Sequence, residues 1–314
     1  MNIWQKSGWS LAFSVLALGS ASAQSLSLAT GAPGGGFLDY GQHVAAVLKE
    51  KGLVIDVQQT SGTAENLKRV EAGQADCGLA VLGPAYEAWN GLGGWTGGVK
   101  MQNFRAVAPM YETTFHTIVP EGGTVRSFAD LKGLKVAVGP KQGTGELMFA
   151  GILQATGVKA DMANGAPNDH IVQLEKGEVQ AFWFGAGLPV PAFRTAADRY
   201  PVRVLGFSEA ERAAIIQRLP YLAPSNVPAG TYKGQQVAVE AVGIWNIVVC
   251  GKRVPSSAIQ SFAKALFDGR PALEARMKAA SMTLPANATK NQVIPYHPDL
   301  AEFYRSQGVN VRTE

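Results

Sequence analysis

Two stretches of this chain read alike: Leu67-Lys68-Arg69-Val70-Glu71-Ala72-Gly73-Gln74-Ala75 and Ile171-Val172-Gln173-Leu174-Glu175-Lys176-Gly177-Glu178-Val179. Each has apolar residues three apart, then a glutamate, then a glycine, then an apolar run. A helix carries the first part and stops at a glycine that tolerates the left-handed conformation. A buried strand follows and ends at another glycine, Gly83 after the first copy and Gly185 after the second.

What precedes each copy also matches. Leu26-Ser27-Leu28-Ala29-Thr30 alternates as a strand does, and Lys135-Val136-Ala137-Val138-Gly139 follows suit. A glycine-rich loop comes next in both places, at 31–36 and at 140–145. A helix is expected after each loop. The first carries Tyr40, Val44, Val47 and Leu48 on one face, and the second carries Leu147, Met148 and Ile152. Thr60-Ser61-Gly62-Thr63 offers N-cap residues, Asp169 is expected to cap a second-unit helix, and Ser127 with Asp130 has a capping-box pattern. Strands alternating with helices at this spacing imply a mostly parallel sheet covered on both faces. One α/β unit is therefore expected twice.

Outside the repeat the ends are informative. Lys6 is the only charged side chain before Asp39. An apolar run from Leu11 to Leu18 follows, too short for a bilayer, and then Ala21-Ser22-Ala23. This is the three-zone pattern of a secretory signal, with cleavage expected before Gln24 and no lipid anchor, since no Cys follows the site. The expected organisation is a signal peptide at 1–23, a discontinuous first lobe at 24–114 and 240–314, and a second lobe at 115–239. The chain is expected to cross between lobes twice, near 112–118 and 232–242, and the lobes are expected to hold separate sheets.

Composition excludes several classes. There are 28 Lys and Arg against 24 Asp and Glu, a net charge of +4, and the basic residues are scattered. Nucleic acid is not an expected partner. The two cysteines, Cys77 and Cys250, are too few for a disulfide scaffold or a Cys-based metal site. Both sit in apolar strand-like runs and are expected as buried thiols, with pairing the alternative. His43, His116, His170 and His297 form no metal-ligand pair at helical spacing. The glycines lack the register of a dinucleotide site, and no G-x-S-x-G is present. No catalytic residue, metal or cofactor is expected.

Ligands of open α/β sheets sit beyond the carboxyl ends of the strands, where the loops lie. Here the loops lead into helix N-termini, whose free N–H groups attract anions. Gly35 and Gly36 let the backbone approach a ligand, and Gly143 and Gly145 do so in the second unit. Thr63 and Thr144 can add hydroxyl donors and Lys141 a rim charge. Phe37, Tyr40, Tyr86 and Trp183 all fall near expected loop ends.

At these residues the chain resembles the TAXI substrate-binding proteins of TRAP transporters, over nearly its whole mature length. The family's opening G-x-x-G-G-x-Y-Y loop corresponds to Gly31-Ala32-Pro33-Gly34-Gly35-Gly36-Phe37. Its T-x-G-S-x-E-N-L stretch corresponds to Thr60-Ser61-Gly62-Thr63-Ala64-Glu65-Asn66-Leu67. Its G-x-A-D-x-G-L stretch corresponds to Gly73-Gln74-Ala75-Asp76-Cys77-Gly78-Leu79. Phe104 to Tyr111, Tyr221 to Pro224 with Pro228 to Tyr232, and Tyr296-His297-Pro298 with Phe303-Tyr304 resemble its later signatures.

The resemblance implies a periplasmic binding protein of type II-like fold: two α/β lobes, hinge strands and a ligand cleft between them. It implies a periplasmic receptor, expected as a monomer, that hands a small organic acid to a membrane permease. Ligand contacts are implied at Gly83, Tyr86, Gln142, Gly185 and Ala186 besides the loop residues above. Three departures bear on the ligand. Gly83-Pro84 replaces a Ser-Asp pair, Lys141-Gln142 replaces Gly-Ser, and Gly185 replaces a threonine. A lost carboxylate argues against an amino-acid ligand and for a dicarboxylate, keto acid or related acid. The alternatives are a glutamate-like ligand, or a sensing protein that signals through a membrane partner.

Overall fold

The computed structural model describes Met1 and residues 25–314; the expected signal peptide lies outside the described residues. The first unit runs β1 (Ser25–Ala29), α1 (Gly36–Lys49), β2 (Val54–Gln58), α2 (Thr63–Glu71), β3 (Cys77–Val81) and α3 (Leu82–Asn90). A 17-residue strand, β4 (Phe104–Pro120), leads out of it. The second unit runs β5 (Lys135–Ala137), α4 (Thr144–Thr156), β6 (Asp161–Ala163), α5 (Pro167–Glu175), β7 (Ala181–Ala186) and α6 (Pro191–Arg199). Then come β8 (Val202–Leu205), α7 (Glu209–Arg218), β9 (Ala223–Val227) and the long return strand β10 (Val239–Gly251). Helix α8 (Ser256–Asp268) and shorter turns complete the chain over the first unit, packing on α1.

The duplication is visible in the pairing. In both units the first strand lies between the second and third: β2-β1-β3 and β6-β5-β7, all parallel. The two helix-ending glycines that opened the sequence reading, Gly73 and Gly177, both have φ of +74°. That left-handed turn ends α2 and α5 alike and feeds β3 and β7. The Tyr40, Val44, Val47 and Leu48 face of α1 is buried, as the helical period requires. Asp169 does not cap α5: Ala166 is the N-cap, Pro167 opens the helix and Asp169 lies in its first turn. Ser127 and Asp130 shape only a 3-10 turn at Ala129–Leu131, where the Asp130 carboxylate accepts from the Ser127 and Arg126 N–H groups.

The ladder does not break between the units, as separate sheets would require. Strands β10 and β4 pair antiparallel in the middle, so one sheet runs β2-β1-β3-β10-β4-β7-β5-β6. Both strands are long enough to pair with a unit at each end. Phe115 of β4 stacks on Trp183 of β7 at 5.5 Å, carrying the core into the second unit. The chain passes between units in these two strands.

The cysteines are not free thiols. Cys77 of β3 and Cys250 of β10 are cross-strand partners, with Cα atoms 3.9 Å apart, and they form a disulfide. A register that places two residues opposite one another decided this, at a sequence separation of 173.

Candidate binding cleft

Helices α1, α2 and α4 all start where the two units meet. Their N-caps are Gly35, Gly62 and Gly143, and none has a side-chain cap. By contrast α7, on the surface, is closed by a full capping box from Ser208 and Glu211. Glycine N-caps leave first-turn N–H groups without an intrahelical partner and without a side chain in front of them.

The N-termini of α2 and α4 mirror each other. In α2 the order is Ser61, Gly62, Thr63 and Glu65; in α4 it is Gln142, Gly143, Thr144 and Glu146. In both, the glutamate accepts from the N–H of the residue before the N-cap, Ser61 (2.7 Å) or Gln142. In both, the first helical residue is a threonine. The two threonines meet across the cleft, Oγ1 to Oγ1 at 2.8 Å. Thr63 also accepts from the Val81 N–H at 3.2 Å. Either hydroxyl can donate in this pair; when Thr63 is the donor, the Thr144 proton is free for the cleft.

The cleft holds a cavity of about 40 Å³, room for roughly two or three water molecules. The units interlock tightly around it. A Cβ on Gly36 would stand 2.7 Å from the Ala186 Cβ, and one on Gly143 would stand 2.7 Å from the Ser61 carbonyl oxygen. A Cβ on Gly34 would meet Asn168 at 2.2 Å, and one on Gly83 would meet the Tyr221 ring at 2.6 Å. The glycines set how closely the units approach.

The cavity wall includes several of the expected residues: Gly35, Gly36 and Phe37 of the first loop, Thr144 of α4, and Gly185 and Ala186 of β7. Gly143, Gly145 and Thr63 stand just behind it. Gly143 caps α4, the Gly145 carbonyl accepts from Trp183 Nε1 at 3.1 Å, and Thr63 is fully buried. Five expected contacts lie elsewhere. Tyr40 is in the core, its hydroxyl 3.1 Å from Thr283 Oγ1, because the apolar stripe of α1 turns it away from the cleft. Gly83 is packed under Tyr221, and Tyr86 is 39% exposed on α3. Lys141 and Gln142 are exposed at the rim, where Gln142 has φ of +58° and lies 3.5 Å from Lys68 Nζ.

The wall also contains residues that the sequence reading passed over: Ser61, Thr113, Pro140 and Phe184. Phe184 is the chief of these. Its ring lies within 3.9 Å of where Cβ atoms on Gly35, Gly139 and Gly145 would stand, so it floors the cleft against loops of both units. Strand alternation sends its neighbour Trp183 the other way, fully buried in the core. The period-two rule applied to Phe182-Trp183-Phe184 was the signal available. The repeated Gly-Thr-x-Glu at 62–65 and 143–146 was another.

No charged side chain lines the cavity among the described residues. Asp39, Glu65 and Glu146 sit in the first turns of the three helices, but none of them is in the wall. Asp39 faces His43 at 3.4 Å and Glu65 pairs with Arg69 at 2.6 Å. The donors in the wall are thus hydroxyls and backbone N–H groups, with Phe37, Phe184 and Pro140 as apolar surfaces. Among the described residues, no cluster of His, Cys, Asp and Glu could hold a metal ion, and no helix is long and apolar enough to cross a membrane. His116 is structural. It is fully buried, its Nδ1 donates to the Thr114 carbonyl (3.2 Å), and its Nε2 accepts from the Tyr232 hydroxyl (2.9 Å).

Two α/β units, two connecting strands and a cleft walled by helix N-termini define a periplasmic binding protein of type II-like fold. Solved structures agree on that fold. The periplasmic binding protein BugD matches with a TM-score of 0.59 at 16% identity, covering 91% of this chain and 98% of its own. A protein described as a periplasmic transporter matches with a TM-score of 0.57 at 14% identity, covering 83% and 88%. The GluR0 ligand-binding core in complex with L-glutamate matches with a TM-score of 0.52 at 17% identity, covering 82% and 99%. The chain belongs to the NMT1-like family, which it matches over residues 28–308 and which corresponds to the TAXI and TRAP-type periplasmic solute-binding proteins. These are binding proteins that serve transporters, not catalysts.

Proposed function

We propose that this protein captures a small organic anion, a dicarboxylate, keto acid or related acid, and delivers it to a TRAP-type membrane permease. The observation that carries this reading is the convergence of three helix N-termini without side-chain caps on one cavity that holds no carboxylate. Free N–H groups and the Thr144 hydroxyl are suited to a carboxylate, and they need no arginine; the Ser61 hydroxyl already donates to the Glu65 carboxylate at 2.8 Å. A glutamate-like ligand would bring an ammonium group, and no side chain of the wall offers it a carboxylate. The apolar Phe184 and Phe37 surfaces suit the carbon skeleton of an acid.

The tight cleft belongs to a closing receptor. A solute larger than a few atoms enters only when the units separate, and bending of β4 and β10 near 112–118 and 232–242 supplies that motion. These are the boundaries we assign between a first lobe at 24–114 and 240–314 and a second lobe at 115–239. Secretion to the periplasm through a cleaved leader at 1–23 completes the reading.

A thermal-shift screen of small mono- and dicarboxylic acids tests it. A ligand at about one hundred times its Kd adds roughly 2.7 kcal/mol of stability. The neutral amide or ester of the best acid is expected to give no shift. A screen in which only neutral or cationic solutes stabilise the protein overturns the proposal.

A further inference from the structure

A second cavity, of about 520 Å³, lies on the far side of β4 from the cleft. Thr113 faces the cleft, while its neighbours Glu112 and Thr114 face this second space, as alternation along a strand requires. The other walls come from both units: Leu188 and Pro189 after β7, Ser225 of β9, and Lys278, Ala279, Ser281 and Met282.

Glu112 is seated there by a specific device. Its carboxylate crosses β10 over Gly243, where a Cβ would stand 1.9 Å from Glu112 Oε1 and 2.9 Å from the Ser225 Cβ. Glycine in the middle of a fully paired strand weakens it, and its presence there marks a group that must come close. The sequence gives up a side chain in its central strand to make room for this carboxylate.

That carboxylate has no salt-bridge partner among the described residues. Burial raises its pKa, with a Ser225 hydrogen bond and the Lys290 charge acting in the opposite sense. Lys290 is turned toward the Trp245 ring, 5.9 Å from its centroid. Lys278, the lysine in the cavity wall, is exposed. A half-buried carboxylate with lysines nearby but none paired to it is a ready acceptor for a cation that arrives with a ligand. Leu188, Pro189 and Met282 supply apolar wall, and the Thr114 and Ser225 hydroxyls, 3.1 Å apart, supply polar wall.

We propose that this cavity is a second binding site, for a small organic ammonium with an apolar body, in which Glu112 receives the positive charge. It is separate from the acid-binding cleft, and it stands or falls independently of what the cleft binds.

The test is a titration of full-length mature protein with benzylammonium and with its neutral counterpart benzyl alcohol, followed by two-dimensional amide NMR. Benzylammonium is expected to bind saturably in the millimolar range and to move resonances around Glu112, Ser225 and Met282. Benzyl alcohol and the Glu112→Gln variant are each expected to weaken binding at least about tenfold. Thr144→Val, which alters the cleft, leaves it unchanged. Ala229→Trp, at an exposed wall position, fills the cavity while leaving Glu112 itself unchanged and abolishes binding even if Glu112→Gln folds poorly. Absence of saturable benzylammonium binding, full binding to Ala229→Trp, or loss of binding in Thr144→Val overturns the proposal.

Discussion

The hydroxyls of Thr63 and Thr144 meet at 2.8 Å, joining the first residues of two helices that belong to different units. Thr63 is anchored to the Val81 N–H, so the contact ties the tip of β3 to the start of α4. The contact positions the Thr144 hydroxyl only while the two units are together.

Replacing Thr144 by valine keeps the shape and removes the donor. If the ligand is the proposed acid, its affinity is expected to fall by roughly 1.5–3 kcal/mol, the range for hydrogen bonds to charged groups. Calorimetric titration measures it. Unchanged affinity would rule out a ligand carboxylate at this hydroxyl. Lys141→Ala is the contrast: the side chain is exposed at the rim, so the loss is expected to stay below about 1 kcal/mol and to vanish in high salt.

Gly36→Val acts on closure itself. The added Cβ would stand 2.7 Å from the Ala186 Cβ in the facing unit. The units are expected to be held apart, with binding reduced far more than by Thr144→Val. Small-angle scattering with saturating ligand is expected to show the wild type contracting and the variant staying expanded. A variant that contracts normally contradicts the assignment of Gly36 to the closing surface.

The Cys77–Cys250 bond links β3 to β10 inside one unit, at the end of β3 away from the cleft. Replacing both cysteines by alanine is expected to cost about 2–5 kcal/mol of stability, read from urea unfolding, while ligand affinity is preserved. A loss of affinity at full folding would show that this bond shapes the site.

Acid is expected to weaken the fold through His116. Burial pulls its pKa from 6.5 down to about 3, so the folded protein keeps the ring neutral where the unfolded chain protonates it. The unfolded state then binds the extra proton, and stability declines as pH falls from about 6.5 toward 3, by about 1.4 kcal/mol per pH unit for one such group. His170 and His297 are shifted down by burial as well and act in the same sense. Urea midpoints between pH 7 and pH 5 measure the slope, and His116→Gln is expected to reduce it by one proton's worth. An unchanged slope in that variant rejects the assignment.

Much of the architecture is legible along the chain because its causes are local. Gly73 and Gly177 can be read as helix stops since few other residues adopt a φ of +74° without strain. The buried face of α1 follows from the helical period, and the glycine-rich loops before α1 and α4 announce close backbone approach. The doubled unit follows from these signals repeating in one order. What could not be read is every relation that depends on register or docking between distant segments. The pairing of Cys77 with Cys250, the meeting of Thr63 with Thr144 and the continuity of the ladder through β4 and β10 join residues far apart in the chain. Tyr40 has the same aromatic character as Phe37, yet one is in the core and the other in the cleft wall. Local conformation answers to a few neighbouring residues, whereas a site between two units exists only where their surfaces meet.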